Sequence, residues 1–183
     1  MAKYHSKKIL GLMGAVDSKT PKSEVEGWLR LLSTTERNIL LILYHSKSPR
    51  TTKEARSKYI DKIVSYLEVL RDPSKGKLPA FIIEPKEGCI LDDRTDKLLK
   101  KIWDARKKLS YSRWIEFASA LISKEAKYET PSYWKIDMLL KSLEKQNLVL
   151  KKPSEQRGIK AFYILNPKFY AFLKDNKIDL AEL

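Results

Sequence analysis

Apolar residues recur at every third or fourth position along most of the chain, which is the spacing of one face of an α-helix. The clearest stripe is formed by Ile39, Leu40, Leu43 and Tyr44. The same spacing predicts helices over residues 23–32, 33–46, 51–58, 60–71, 96–109, 112–122, 131–146 and 166–174. The chain is therefore expected to be mainly helical.

Two of these helices carry a signal for where they begin. Ser23 is followed three residues later by Glu26, and Ser33 by Glu36. In such a capping box the serine and the glutamate each satisfy a free backbone N–H group of the first turn. We therefore expect both helices to begin with a capping box.

Two stretches alternate or concentrate β-branched and aromatic residues around a turn, which is typical of β-hairpins. The first covers residues 80–84 and 89–91, and the second covers 148–151 and 160–165. Helix, helix, helix and hairpin thus follow one another twice, separated by a candidate linker from Asp92 to Thr95. The predicted fold class is mainly α with small β-hairpins (α+β).

The repeated order predicts four segments. They are a basic N-terminal arm with a short helix (1–32), a first domain (33–94), a second domain (95–174) and an acidic C-terminal tail (175–183).

Composition and charge narrow the class of partner. Hydrophobic residues make up 43% of the 183 positions and charged residues 33%, which excludes global disorder. The formal net charge is +14, and residues 95–183 contain 19 basic against 11 acidic residues. Such an excess favours a polyanionic partner.

Residues suited to catalysis or metal binding are sparse. Cys89 is the single cysteine, so a disulfide framework or a multi-cysteine zinc site is excluded. His5 and His45 have no spaced partner, and glycine-rich phosphate loops are absent. We therefore expect no enzyme activity, no cofactor and no metal. No apolar run is long enough to span a membrane, and we expect a cytoplasmic, nucleoid-associated protein.

Particular residues of the second repeat resemble the winged helix-turn-helix superfamily. Ala118 and Leu121 match its "Ala-x-x-Leu" pattern, and residues 140–149 read Leu-x-x-Leu-Glu-x-x-Asn-Leu-Val, like the end of a recognition helix that leads into a wing. Asn147 stands where most members have Gly, and Asn tolerates the left-handed conformation of a helix terminator. The connection over 123–130 is longer than usual, which suggests an extra helical turn or a loop.

The ending over residues 161–169 is similar to the wing-then-helix ending of replication initiators of small plasmids. The resemblance to the superfamily implies two tandem winged helices, each with a third helix that enters the major groove and a wing that contacts the backbone.

The candidate DNA contacts follow from this placement. Ile136, Leu139, Leu140 and Leu143 face inward on the third helix, and Trp134 is expected to pack against the core or the neighbouring unit. In the second copy the candidates are Thr130, Ser132, Tyr133, Lys135, Lys141, Lys151, Lys152, Arg157 and Lys160. In the first copy they are Arg50, Lys53, Arg56 and Lys58.

The favoured function is non-catalytic binding of double-stranded DNA, by a transcription regulator or a replication or partition initiator. Two alternatives stay open. One is a winged-helix adaptor that binds a transcription, replication or chromosome-organising protein, or a second copy of itself. The other is a binder of structured RNA, because a basic surface by itself does not distinguish the two duplexes.

Overall fold

A computed structural model of the chain describes residues 21–46, 48–81, 83, 93–126, 128–155 and 161–183. These contain seven α-helices and one two-stranded antiparallel sheet. The helices are α1 (Lys22–Leu29), α2 (Thr34–Tyr44), α3 (Thr52–Arg71), α4 (Asp93–Arg106), α5 (Tyr111–Leu121), α6 (Tyr133–Lys145) and α7 (Pro167–Asp175). The strands are β1 (Val149–Pro153) and β2 (Ala161–Leu165). The predicted α+β class, mainly helical, is confirmed.

Close packing divides the chain into two compact units that do not follow the order of the chain. Unit 1 comprises residues 1–55 and 133–183, and unit 2 comprises residues 56–132. The last helix and the hairpin of the predicted second copy therefore belong to unit 1, whereas α4 and α5 belong to unit 2. These units do not coincide with the predicted ranges 33–94 and 95–174.

The core of unit 1 forms where α2 packs against α6 and β2, and α6 against β1. Ile39 and Leu40 of α2 are fully buried, as are Ile136, Leu140 and Leu143 of α6. The inward positions predicted for α6 are thus confirmed, apart from Leu139, which is half-buried.

Unit 2 is built around Trp114 of α5, which is fully buried and donates its indole N–H to the carbonyl oxygen of Ile102 at 2.8 Å. Helix α4 packs against α5 and against the π-helical turn Ile122–Ala126, which directly follows α5. The guanidinium of Arg106 lies over the rings of both Trp103 and Trp114. For the connection over 123–130 the sequence left an extra helical turn or a loop open, and the structure has a helical turn over Ile122–Ala126.

The two predicted capping boxes have different outcomes. At α2, the Ser33 hydroxyl accepts from the Glu36 backbone N–H, and the Glu36 carboxylate accepts from the Ser33 N–H at 2.8 Å, so this box is confirmed. At α1 the prediction is wrong. The helix begins two residues earlier, Pro21 is its N-cap in place of Ser23, and the cap forms no side-chain hydrogen bond. Ser23 therefore lies within the first turn.

Two further predictions about boundaries are wrong. The helices predicted over 51–58 and 60–71 are one helix, α3, because no residue between them breaks the hydrogen-bond ladder and Tyr59 is itself buried. The predicted linker from Asp92 to Thr95 is helical from Asp93, the first residue of α4.

The remaining predicted segments have different outcomes. The hairpin predicted over 80–91 lies mostly outside the described residues, as do His5, Cys89 and residues 1–20 of the predicted arm. The second hairpin and the last helix are confirmed. The C-terminal segment is not a free tail, because Ile178 and Leu180 are buried.

Candidate nucleic-acid interface

Helix α6 presents a broad exposed face at its N-terminal half. The exposed fractions of Tyr133, Trp134 and Met138 are 52%, 70% and 48%. Trp134 does not pack into the core of unit 1, as one of the two expectations for it had it, because the inward face of the helix is already filled by Ile136 and Leu140. An indole so exposed is available to a partner.

Farther along α6, an ion pair modifies one of the predicted contacts. The Lys141 ammonium lies 2.6 Å from the Asp137 carboxylate, and this hydrogen bond raises the pKa of Lys141. Asp137 also accepts from the Thr52 hydroxyl at 3.2 Å. Lys141 thus stays exposed and charged, but Asp137 neutralises part of its field. Lys135, another predicted contact, is half-buried.

The turn that ends α6 determines how the hairpin leaves it. Asn147 has a φ of 58°, and the N–H groups of Asn147 and Leu148 donate to the carbonyls of Glu144 and Leu143. This is the Schellman arrangement of a helix terminator. The left-handed conformation expected of Asn147 is therefore confirmed.

A second asparagine ties the two ends of the hairpin together. Asn166 follows β2, and its side-chain amide donates to the backbone carbonyl of Asn147 at 2.8 Å. Its backbone N–H donates to the carbonyl of Leu148 at 2.9 Å, and its side-chain oxygen caps α7 by accepting from Lys168 N–H. These hydrogen bonds hold the hairpin in a defined position next to α6.

The hairpin brings predicted basic residues onto one small sheet. In the β1–β2 register Lys151 is opposite Tyr163 and Lys152 is opposite Phe162. Because successive side chains of a strand point to opposite faces of the sheet, the two lysines project from opposite faces. Both are exposed. Arg157 and Lys160, predicted for the same wing, lie outside the described residues.

Arg50 joins the sheet from a distant part of the chain. It forms an antiparallel bridge with Tyr163, in which its N–H donates to the Tyr163 carbonyl at 2.8 Å and the Tyr163 N–H donates back at 2.7 Å. Its Nε also donates to the Ser46 hydroxyl at 2.8 Å. Arg50 and Lys151 therefore flank Tyr163 from its two sides.

Tyr163 itself is held in its neutral form. Burial raises the pKa of its hydroxyl, and the negative charges of Asp137 and Glu144 raise it further. Arg50, Lys53, Tyr133, Lys135, Lys141, Lys151 and Lys152 are the described candidates that lie in unit 1.

Two further candidates, Arg56 and Thr130, lie in unit 2 and are hydrogen-bonded within it. The Arg56 guanidinium makes a two-pronged ion pair with Glu116 and donates to the Pro131 carbonyl at 3.0 Å, and only 11% of its side chain is exposed. The Thr130 hydroxyl is hydrogen-bonded to Ser119 and Ser123. These contacts give Arg56 and Thr130 an evident structural role.

The two remaining candidates in unit 2 are on its surface. Lys58 is exposed and lies 3.6 Å from the Asp61 carboxylate. Ser132, the last residue of the unit, is exposed and directly precedes α6. Neither residue comes together with the wing lysines in one unit.

Lys145 and the seven basic residues within 94–108 are also exposed, and they are not among the contacts predicted from the sequence. Lys145 is exposed in the last turn of α6, and its helical spacing from Lys141 was a signal for it. Residues 94–108 contain seven Lys or Arg and two Asp, the densest basic run of the chain. Charge density within a short window was the signal for this second group.

The described residues contain no group of three or more His, Cys, Asp or Glu side chains that could hold a metal ion. Within the same residues, none of the helices is both long and apolar enough to cross a bilayer. Comparison of the chain with family models, with curated proteins and with solved structures finds no match.

Proposed function

We propose that unit 1 is a winged-helix module that binds double-stranded DNA without catalysis, with α6 as the recognition helix and the β1–β2 hairpin as the wing. The observation that carries this proposal is the joining of α2, the start of α3, α6 and the hairpin in one compact unit. This keeps the order helix, helix, helix, hairpin, although residues 56–132 lie between the unit's two chain segments.

The charge of unit 1 supports a polyanionic partner. Residues 1–55 and 133–183 contain 20 basic and 11 acidic residues, an excess of nine positive charges. Lys53, Lys145, Lys151 and Lys152 are exposed, and none of them is ion-paired with a carboxylate of the described residues. Lysines in this state release counterions when they meet phosphates, which drives binding.

The proposal therefore replaces two tandem recognition helices with one. The candidates of the predicted first copy are divided between the units, and Arg56 is committed to Glu116. Under this proposal Lys151, Lys152 and Lys53 contact phosphates, whereas Tyr133, Trp134 and Met138 lie where a recognition helix meets base edges.

The first test is an in vitro selection from a random duplex DNA pool at physiological salt. Enrichment of a defined motif is the expected result and gives the site of one recognition helix. Retention without a motif would support binding to the backbone alone. If the pool is not retained, double-stranded DNA is not the partner.

A second test addresses the wing. The charge reversals Lys151→Glu and Lys152→Glu together should weaken duplex binding and lower the slope of log Kobs against log salt by about 2, one for each phosphate that the variant no longer binds. Lys168→Glu with Lys174→Glu on α7 is the matched control, since both lysines are exposed and the change in net charge is equal. An equal effect of the two pairs would refute a wing contact.

The cellular role proposed for such a module is transcription regulation or the marking of an origin for replication or partition, in the cytoplasm at the nucleoid. The selected motif distinguishes these roles. Copies next to many promoters indicate a regulator, whereas repeated copies clustered at one origin indicate an initiator.

A second candidate function is a protein-interaction adaptor, and the apolar face of α6 favours it. Tyr133, Trp134 and Met138 together expose an aromatic and thioether surface of the kind enriched at protein interfaces. Size-exclusion chromatography with light scattering measures whether the chain associates with itself. A dimer that Trp134→Ala converts into a monomer would assign this face to a second copy.

Structured RNA is the remaining alternative. Competition between duplex DNA and duplex RNA of equal length and sequence measures the preference directly. A clear preference for RNA would move the proposal from major-groove recognition to recognition of A-form shape and 2′-hydroxyls.

A further inference from the structure

Helix α4 of unit 2 carries a second strongly basic surface, separate from the wing. Residues 94–108 hold seven basic and two acidic residues, an excess of five. Unit 2 as a whole holds 17 basic and 12 acidic residues, which is also an excess of five. The whole positive excess of unit 2 therefore lies in this segment, and the rest of the unit is neutral overall.

The lysines of this segment lie on one side of the helix. The lysine face comprises Lys97, Lys100, Lys101, Lys107 and Lys108, all exposed. The positions follow helical spacing from Lys97 to Lys101, and the last two belong to the turn that continues α4. At 1.5 Å per residue the lysine face is about 16 Å long, roughly the rise of five base pairs of duplex DNA.

Carboxylates neutralise only part of the positive charge of the lysine face. Lys101 is paired with Glu125 at 3.1 Å and Lys107 with Asp104 at 3.4 Å. Both are exposed ion pairs, which contribute little and exchange readily with another anion. Lys97, Lys100 and Lys108 have no ion pair with a carboxylate in the described part of the chain.

The opposite side of α4 indicates which polyanion fits. Leu98, Leu99 and Ile102 are buried, and α4 packs against α5 within the unit. A basic helix that binds a membrane surface needs its apolar side free to enter the lipid. Because that side is occupied here, the lysine face is suited to phosphates presented by a rigid rod, such as a nucleic-acid duplex.

We infer that the lysine face of α4 is a second duplex contact, which holds the phosphate backbone of DNA and reads no bases. This inference rests on the proposed duplex binding of the protein and assigns part of it to unit 2. Lys97, Lys100 and Lys108, the three lysines of the face without an ion pair to a carboxylate of the described residues, have flexible side chains that supply charge but no base-specific hydrogen-bond pattern. Their contribution to binding is therefore independent of the DNA sequence.

The test compares two triple variants of the full chain. One is Lys97→Gln, Lys100→Gln and Lys108→Gln, and the control is Lys168→Gln, Lys174→Gln and Lys177→Gln on and after α7. Both variants remove three exposed lysines and lower the formal net charge from +14 to +11. Circular dichroism verifies that each variant keeps its helices.

Binding is measured by fluorescence anisotropy with a labelled 30-base-pair duplex of random sequence between about 50 and 200 mM salt. The α4 variant should lower the slope of log Kobs against log salt by about 2 to 3, from about 0.9 for each bound phosphate. The α7 control should leave the slope nearly unchanged.

The outcomes separate this inference from the proposed function. An unchanged slope for the α4 variant, or an equal loss in both variants, overturns the inference even if the wild-type protein binds DNA through its wing. A loss confined to the α4 variant, with Lys151→Gln and Lys152→Gln without effect, supports the inference and refutes the wing contact. If the wild-type protein does not bind the duplex, both fail.

Discussion

At the scale of single residues, two of the described positions adopt a left-handed backbone without being glycine. They are Asn147, with φ 58°, and Lys177, with φ 51°. Each follows a helix and donates its N–H into a Schellman arrangement, so each has the same task. Asparagine is suited to this conformation, whereas a lysine Cβ is strained in it. Lys177 is therefore a site of local strain in unit 1.

We expect Lys177→Gly to raise the free energy of unfolding by about 0.5–1 kcal/mol, because glycine adopts this conformation without a steric penalty. Urea denaturation with an unchanged m-value measures the gain. Lys174→Gly, three residues earlier and inside α7, is the control and should lower stability by about 0.5–1 kcal/mol. A loss in both variants would contradict the assignment of strain to Lys177.

The partners and the exposure of some side chains also differ from what the sequence predicts. Arg56 and Thr130 are polar residues of predicted binding positions, but their partners Glu116 and Ser119 come from another helix. Trp134 was expected to be packed, yet it is 70% exposed. No local pattern distinguishes these cases, since each depends on which side chain a different element places beside it.

At the scale of elements, the beginnings of helices show how far a local motif can be trusted. The sequences around Ser23 and Ser33 carry the same serine and glutamate spacing, but only Ser33 is an N-cap. Pro21 accounts for the difference, because its fixed φ and extended ψ of 134° let it take the N-cap position itself. The helix then begins before Ser23.

Ser33→Ala should lower the free energy of unfolding by about 1 kcal/mol, because the backbone N–H of Glu36 loses its acceptor. Ser23→Ala is the matched variant and should change stability by less than about 0.5 kcal/mol, since its side chain caps nothing. Chemical denaturation of the two variants gives both values. Comparable losses would show that the α1 cap is formed by Ser23 after all.

An ion pair joins two elements of unit 2. Arg71, the last residue of α3, is bonded through its guanidinium to the carboxylate of Asp96 in the first turn of α4. This hydrogen bond lowers the pKa of Asp96. The folded pKa is thus below the unfolded value, so the stabilising contribution is present above about pH 4 and is lost as the pH falls through the folded pKa.

Carbon-detected NMR titration should place the pKa of Asp96 below its ordinary value, and Arg71→Gln should return it toward that value. Asp72 is the internal control. Its pKa is lowered chiefly by hydrogen bonds from Ser74, so it should stay low in the same variant. An Asp96 pKa that Arg71→Gln does not change would rule out this ion pair as the cause.

At the scale of the whole molecule, contacts between distant parts of the chain determine the units. Helix α2 belongs to the predicted first copy, but it packs against α6 and β2 of the predicted second. The Arg50–Tyr163 bridge joins the same two regions. Tandem copies would bury α2 against elements of its own half, so this packing favours one composite module.

Residues 33–94 and 95–174, produced as separate fragments, distinguish the two arrangements. Because Ile39 and Leu40 are buried in a core that α6 and β2 complete, we expect neither fragment to unfold cooperatively alone. Thermal unfolding followed by near-ultraviolet circular dichroism is the measurement, and mixing the fragments should restore the signal. Two fragments that each unfold cooperatively would establish tandem domains.

The sequence by itself determined most of the helices, the second hairpin, the cap at Ser33 and the terminator at Asn147, because each depends on residues within a few positions of one another. It did not determine the starts of α1 and α4 or the continuity of α3. Net charge was equally evident from composition. Only the tertiary structure decided which helices share a core, that Arg56 is committed to Glu116, and that Trp134 and the lysine face of α4 are exposed. Burial and pairing are properties of residues far apart in the chain, which local periodicity does not encode.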